Sequence, residues 1–400
     1  MRTFEEIHDD IRQASNTPNA DTLMRLADEM RAHGTPSAEA VALSASGFAA
    51  RLRGDYPRSI EQFRQALDLY QELGDVAGVA KTTGDIGGVY WSTGDYPEAL
   101  EYCHRALAAH EALGNLRSVA NAAVTIGLVY WSTGDYPTTL EYYHRALSIH
   151  QERNDTIGVT NVTGNIGTVY QVTGDYPAAL EHYNRALTLY EELGDRLGVA
   201  RMTGSIGSVE GLTGNYTDAL EHFRQGLAIH EEIGNRSGVA LATGNIIGAL
   251  LKLDRTDEAL QLLDEQDVAE ISNPGVIAHN YANRAAISEA SGDLEAAQGY
   301  LEKALSVVTT AGVRGEAGEY HQRLRNLALK QNNLARYVEH NNEYTRITEE
   351  INGKATAQRM AMMEAEKRIA AERAETEKHR ALLYNTLPPA IADRVLRGEQ

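Results

Sequence analysis

The chain has 400 residues, 37 of them basic and 56 acidic, for a formal charge of −19. An acidic balance of this size argues against non-specific affinity for nucleic acid or an anionic membrane, and no run approaches the roughly 20 apolar residues of a membrane span. Cys103 is the only cysteine, so no intrachain disulfide can form, and a reducing, cytoplasmic compartment fits. The imbalance is local: residues 1–352 hold 28 basic and 49 acidic residues, and residues 353–400 hold 9 and 7.

The first ten residues carry Glu5, Glu6, Asp9 and Asp10 and lack an apolar stretch, so they do not read as a secretion signal. Helices near 3–14 and 20–33 read as an N-terminal cap, residues 1–36. Then a register begins. Gly54-Asp55-Tyr56, Gly94-Asp95-Tyr96, Gly134-Asp135-Tyr136, Gly174-Asp175-Tyr176 and Gly214-Asn215-Tyr216 recur every 40 residues. Such a period predicts one helical hairpin stacked on itself.

In the unit from Val76 to Gly114, a first helix over roughly 77–92 ends at Gly94, where glycine can adopt the left-handed cap. Asp95 can cap the second helix, and Pro97 falls in its first turn, where its missing N–H costs nothing. Ala99, Cys103 and Ala106 share one face of that helix, as do Ala179, Tyr183, Ala186 and Ala219, Phe223, Gly226. Cys103 stands where other copies have Phe63, Tyr143, Tyr183 and Phe223, so it reads as a core thiol. Gly87, Gly127 and Gly167 recur inside first helices, where glycine costs about 1 kcal/mol relative to alanine; repetition of that cost implies a tight helix crossing. No strand precedes these glycines, so they do not read as a phosphate loop.

These residues resemble the tetratricopeptide repeat family, through Gly-x-x-Tyr followed by Gly-Asp-Tyr-x-x-Ala-x-x-x-Tyr-x-x-Ala. The resemblance implies an all-α, superhelical solenoid of antiparallel helix pairs. Repeats one to six span 37–266 and repeats seven and eight span 267–352. The sixth departs from the pattern at Lys252-Leu253-Asp254-Arg255-Thr256, and the period slips to 38 before Gly292-Asp293-Leu294. A change of curvature or a sub-stack boundary is expected there.

In this family the first helices line the concave face. Carried over by register, a groove for a protein or peptide would include Lys81, Asn121, Asn161 and Arg201, then Gly88, Leu128, Thr168 and Ser208, then Trp91, Trp131 and Gln171. Both tryptophans of the chain fall in this set; the alternative is that they fill space between neighbouring first helices. The family's carboxylate clamp would want Asn at positions 88, 128 or 168, and this chain has Gly, Leu and Thr. Of the thirteen histidines, His104 and His144, His182 and His222, and His110, His150 and His230 share registers on stacked hairpins, neighbours roughly 10 Å apart, too far to converge on a metal at about 2 Å. No catalytic residue, metal ligand or cofactor is assigned to the chain.

Arg336 to Leu383 can form one helix of nearly 50 residues. Ile347, Ile351, Ala355, Gln358, Met362, Ala365, Ile369, Glu372, Thr376, His379 and Leu383 make a heptad-like stripe with polar members. It predicts a coiled-coil helix over 353–384 and weak pairing of two chains, which the linker resemblance that follows implies to be a parallel pairing of signalling helices; a single solvated helix is the alternative. Leu382-Leu383-Tyr384-Asn385-Thr386-Leu387-Pro388-Pro389 then leads into a short amphipathic stretch with Ile391, Val395 and Leu396. The segment over 385–400 resembles the linker before the catalytic domain of class III adenylate or guanylate cyclases. That resemblance implies a regulatory region cut off before a domain that would use two divalent metals (Mg or Mn) to cyclise ATP or GTP. The competing reading is a stand-alone adaptor or peptide receptor.

Overall fold

The computed structural model describes residues 2–16, 19–264, 273–388, 391, 392 and 395, and among them every regular element is an α-helix. The chain forms two compact units, one made of 1–155 with 357–400 and one of 156–356. The first unit begins with α1 (Phe4–Asn16) and α2 (Ala20–Arg31). Three hairpins follow: α3 (Pro36–Leu52) with α4 (Tyr56–Glu72), α5 (Val76–Thr93) with α6 (Tyr96–Ala112), and α7 (Leu116–Thr133) with α8 (Tyr136–Glu152). The second unit pairs α9 (Thr156–Thr173) with α10 (Tyr176–Leu193), α11 (Arg196–Leu212) with α12 (Tyr216–Glu232), and α13 (Arg236–Lys252) with α14 (Thr256–Asp264). It continues with α15 (Pro274–Ala290), α16 (Leu294–Thr310) and α17 (Arg314–Lys330). The last helix, α18 (Leu334–Thr386), runs 53 residues, its start belonging to the second unit and its end to the first.

Helix pairs follow one another from Pro36 to Asp264, α15 pairs with α16 over Pro274–Thr310, and α17 is followed by α18, which runs on past 352 to Thr386 as one helix. The α1–α2 pair closes its end of the stack by burying Ile7, Leu23, Leu26 and Met30 against Ala38, Val41 and Ala45 of α3. Gly94 ends α5 at φ +81°, a conformation that costs glycine nothing. Asp135 caps α8 by accepting from the Thr138 amide at 3.1 Å. Asp95 is different: no side-chain cap forms on α6, and the carboxylate accepts from the Thr93 hydroxyl at 3.0 Å instead.

The glycines inside first helices mark close crossings. A Cβ on Gly87 would lie 2.6 Å from Cys103 Sγ and 3.3 Å from the Ala99 carbonyl. On Gly167 it would lie 2.8 Å from the Tyr183 ring. Each large second-helix residue therefore sits over the glycine facing it, and each such buried ring contributes roughly 1.5–3 kcal/mol. Phe63 and Tyr183 are among the largest side chains so buried.

The sixth repeat keeps its turn without the glycine. Asp254, at φ +57°, occupies the left-handed position itself, which Asp tolerates better than most residues. Its second helix is described over Thr256–Asp264, and α13 packs on α15 as well as on α14. The period slip thus lies inside the second unit, whereas the units divide after residue 155. Residues 267–272 and most of the stretch after Pro388, where an amphipathic helix was expected, lie outside the described residues.

Candidate functional site

In the second unit predicted groove residues of α9 are held by tyrosines rising from α10. Tyr190 donates its hydroxyl to Asn161 Oδ1 at 2.6 Å. Tyr183 donates to Gln171 Oε1 at 2.6 Å, with Thr168 Oγ1 3.2 Å away. A separation of 2.6 Å suits O–H···O and is short for N–H···O, so the amide oxygens are the tied atoms. The NH2 groups of Asn161 and Gln171 are left as donors. Burial pushes both tyrosines above their ordinary pKa, which keeps the hydroxyls protonated and able to donate.

Thr168 and Ser208 turn their hydroxyls back on their own helices, to Gly164 O at 3.2 Å and Gly204 O at 2.9 Å. They give the face small, half-buried side chains and no outward donor. Asn161 and Arg201 are exposed, and Gln171 is half-buried. The chemistry of this face is therefore that of amide and guanidinium N–H groups.

The first unit has a cleft of about 270 Å³ between α5, α6 and α7, and it brings Lys81 and Asn121 together with Arg51, Asp85, Gly88 and Thr125. Lys81 is paired with Asp85 at 3.2 Å, one turn along its own helix. The Arg51 guanidinium lies 2.8 Å from where a Gly88 Cβ would stand, so the absence of a side chain at 88 is what admits it. Leu128, Trp91 and Trp131 do not line this cleft. Trp91 donates from Nε1 to Ser132 Oγ at 3.2 Å, joining α5 to α7, and Trp131 rests on Tyr136, ring centroids 5.3 Å apart. Both tryptophans and Leu128 are half-buried.

Sequence reading missed Arg51, Asp85 and the two tyrosines. A signal was present for part of this: Asp85, Thr125, Asn165, Ser205 and Asn245 recur at 40 residues. A polar residue kept at one register of an apolar helix marks its open face. Tyr183 and Tyr190 look like core residues, which they also are.

The stripe on α18 divides. Ile347 is buried in the second unit against α16 and α17. Met362, Ala365 and Ile369 are buried in the first unit, where Met362 and Ile369 join the core of α6 and α7. Ile351 is 44% exposed, Thr376 and His379 are exposed, and Leu383 is half-buried.

The profile of the tetratricopeptide repeat family matches residues 38–112, 78–152, 118–192 and 156–232. Among curated proteins none matches. Several solved structures share the fold. The apo quorum sensor NprR from B. thuringiensis is 15% identical with a TM-score of 0.62, over 86% of this chain and 97% of its own. A Rap protein complexed with competence and sporulation factor is 14% identical, TM-score 0.60, over 89% of this chain and 100% of its own. Aspartyl phosphate phosphatase F from Bacillus subtilis is 14% identical, TM-score 0.59, over 86% and 94%. At such identities the likeness is one of fold. Residues 38–232 of this chain are an array of tetratricopeptide repeats.

Proposed function

We propose that the chain is a protein-interaction receptor that takes an extended peptide segment on its first-helix faces. The observation that carries this reading is the fixed orientation of Asn161 and Gln171, whose oxygens are tied to Tyr190 and Tyr183 at 2.6 Å. Amides held in this way offer N–H donors of set direction, and the matching acceptors are backbone carbonyls of an extended chain. A Rap protein of the same fold is complexed with competence and sporulation factor, which supports a ligand on such a scaffold by analogy of fold. The test is selection from a random peptide-display library, followed by calorimetry with the recovered peptide. Asn161→Asp and Gln171→Glu keep the acceptor for tyrosine and lose the donor, so each should weaken binding roughly tenfold. Unchanged affinity in both variants contradicts the reading.

A second reading rests on Leu382-Leu383-Tyr384-Asn385-Thr386-Leu387-Pro388-Pro389 alone: the array regulates a nucleotide cyclase through paired terminal helices. None of the matches named above is a cyclase, so the receptor reading is preferred. An aspartate-bearing βαββαβ domain encoded after Gln400 would favour the cyclase reading, and any other sequence there would remove it. A cytoplasmic location belongs to both readings. Among the described residues, no helix is long and apolar enough to cross a membrane.

A further inference from the structure

The repeats supply an internal control for one surface of the first unit. Second helices carry glutamate at one register, and Glu61, Glu141, Glu181 and Glu221 are all exposed. Three residues on, Arg64, His144, Asn184 and Arg224 are exposed as well. On α6 alone the pattern changes: Glu101 is half-buried and His104 is 6% exposed. What covers them is the end of α18. Arg368 pairs with Glu101 at 2.6 Å, Glu372 faces Arg105 at 3.7 Å, and Arg373 donates to His104 Nδ1 at 2.8 Å. Gln358 donates to the Gly94 carbonyl at 3.2 Å, and Met362 and Ile369 complete the apolar cluster of Leu100, Leu107 and Tyr130.

Gln358, Met362, Ala365, Ile369 and Glu372 are also consecutive members of the heptad-like stripe. Two of the polar positions that make it a poor coiled-coil seam have a partner on the array: Gln358 the carbonyl closing α5, Glu372 the guanidinium of Arg105. A side chain can serve only one of these contacts at a time. We propose that the groove formed by α6, α8 and the end of α7 is a helix-binding site whose occupant is this chain's own segment 358–377. Docking there and pairing of two chains through the stripe are mutually exclusive. The terminal helix is thereby held back from a second copy until the groove releases it.

Array-side variants separate the two contacts, because they leave the stripe untouched. Glu101→Arg with Arg105→Glu in the full chain reverses both ion pairs while keeping opposite charges one turn apart on α6. Hydrogen exchange of 358–377 and sedimentation across a concentration series are the readouts. In the wild type the segment should be protected at every concentration. In the double variant protection should fall roughly tenfold, as two surface attractions become repulsions, and the mass should move toward a dimer. Adding Arg368→Glu and Glu372→Arg should restore both. A wild-type segment without protection, protection lost on dilution (docking on a second copy instead), or unchanged protection in the double variant would each overturn the proposal. Release of the helix with no gain in self-association would overturn the mutual exclusion.

Discussion

Acid should loosen the docked end of α18, and His104 sets by how much. Its Nδ1 accepts from Arg373, so the docked imidazole is neutral with its proton on Nε2. Burial, then the charges of Arg373 and Arg145, lower its pKa from 6.5 to about 4. From α7 and α8, Tyr130 and Tyr142 face the same cleft, as do Glu366 and Glu377 from α18. A histidine whose pKa is depressed contributes stability that is fully present above the free value and is lost as pH falls from 6.5 toward 4. If the released ring titrates at its ordinary value, moving from pH 7.5 to pH 5 costs docking about 2 kcal/mol, or roughly 30-fold in the equilibrium. The assay is hydrogen exchange of 358–377, corrected for the intrinsic effect of pH and compared with the core of α6. His104→Gln can still accept from Arg373 and does not titrate, so its docking should vary little over this range. Acid-insensitive protection in the wild type, or an equal loss in His104→Gln, would refute the reasoning.

Gly167→Ala drives a methyl to within 2.8 Å of the Tyr183 ring and should destabilise the chain by about 1–3 kcal/mol in urea unfolding. Gly204→Ala meets nothing within 4 Å and should stabilise it by up to about 1 kcal/mol; opposite signs would contradict the packing account. Tyr183→Phe frees Gln171 to turn and should cost about 1 kcal/mol of stability while weakening peptide capture, measured by melting and calorimetry. Burial pushes the Cys103 thiol up to about 12, so at pH 8 a disulfide reagent should react with it only on unfolding.

The hairpins were legible because their determinants are local. Gly94 and Pro97 fix the turn between α5 and α6 with little help from distant residues, and Gly87 reports the bulk of the ring or thiol opposite it. Asp254 shows the limit of such reading: its sequence breaks the pattern, yet the backbone makes the same left-handed turn. The division after residue 155 falls at a turn that keeps the 40-residue register, with Asn154 at φ +54° where the equivalent turns have Gly114 and Gly194. Of the proposed face, Lys81, Asn121, Asn161 and Arg201 could be named from sequence because the repeat register carries the family's first-helix face onto them. Tyr183 and Tyr190 could not, because a buried ring with a bonded hydroxyl resembles any core aromatic in sequence. The partner of the α18 stripe was equally hidden. An amphipathic stripe specifies an apolar surface and not whose surface it is, and Glu101 has an identical residue in every neighbouring repeat.

The receptor account is tested most directly by locating the ligand. A photo-crosslinking residue placed at Thr168 or Ser208, on the first-helix face, is compared with one at His144 or Arg224, on exposed second-helix positions. With the display-selected peptide, the account predicts adducts from Thr168 and Ser208 and none above background from His144 or Arg224. Adducts confined to the second-helix positions, or equal at all four, would contradict it.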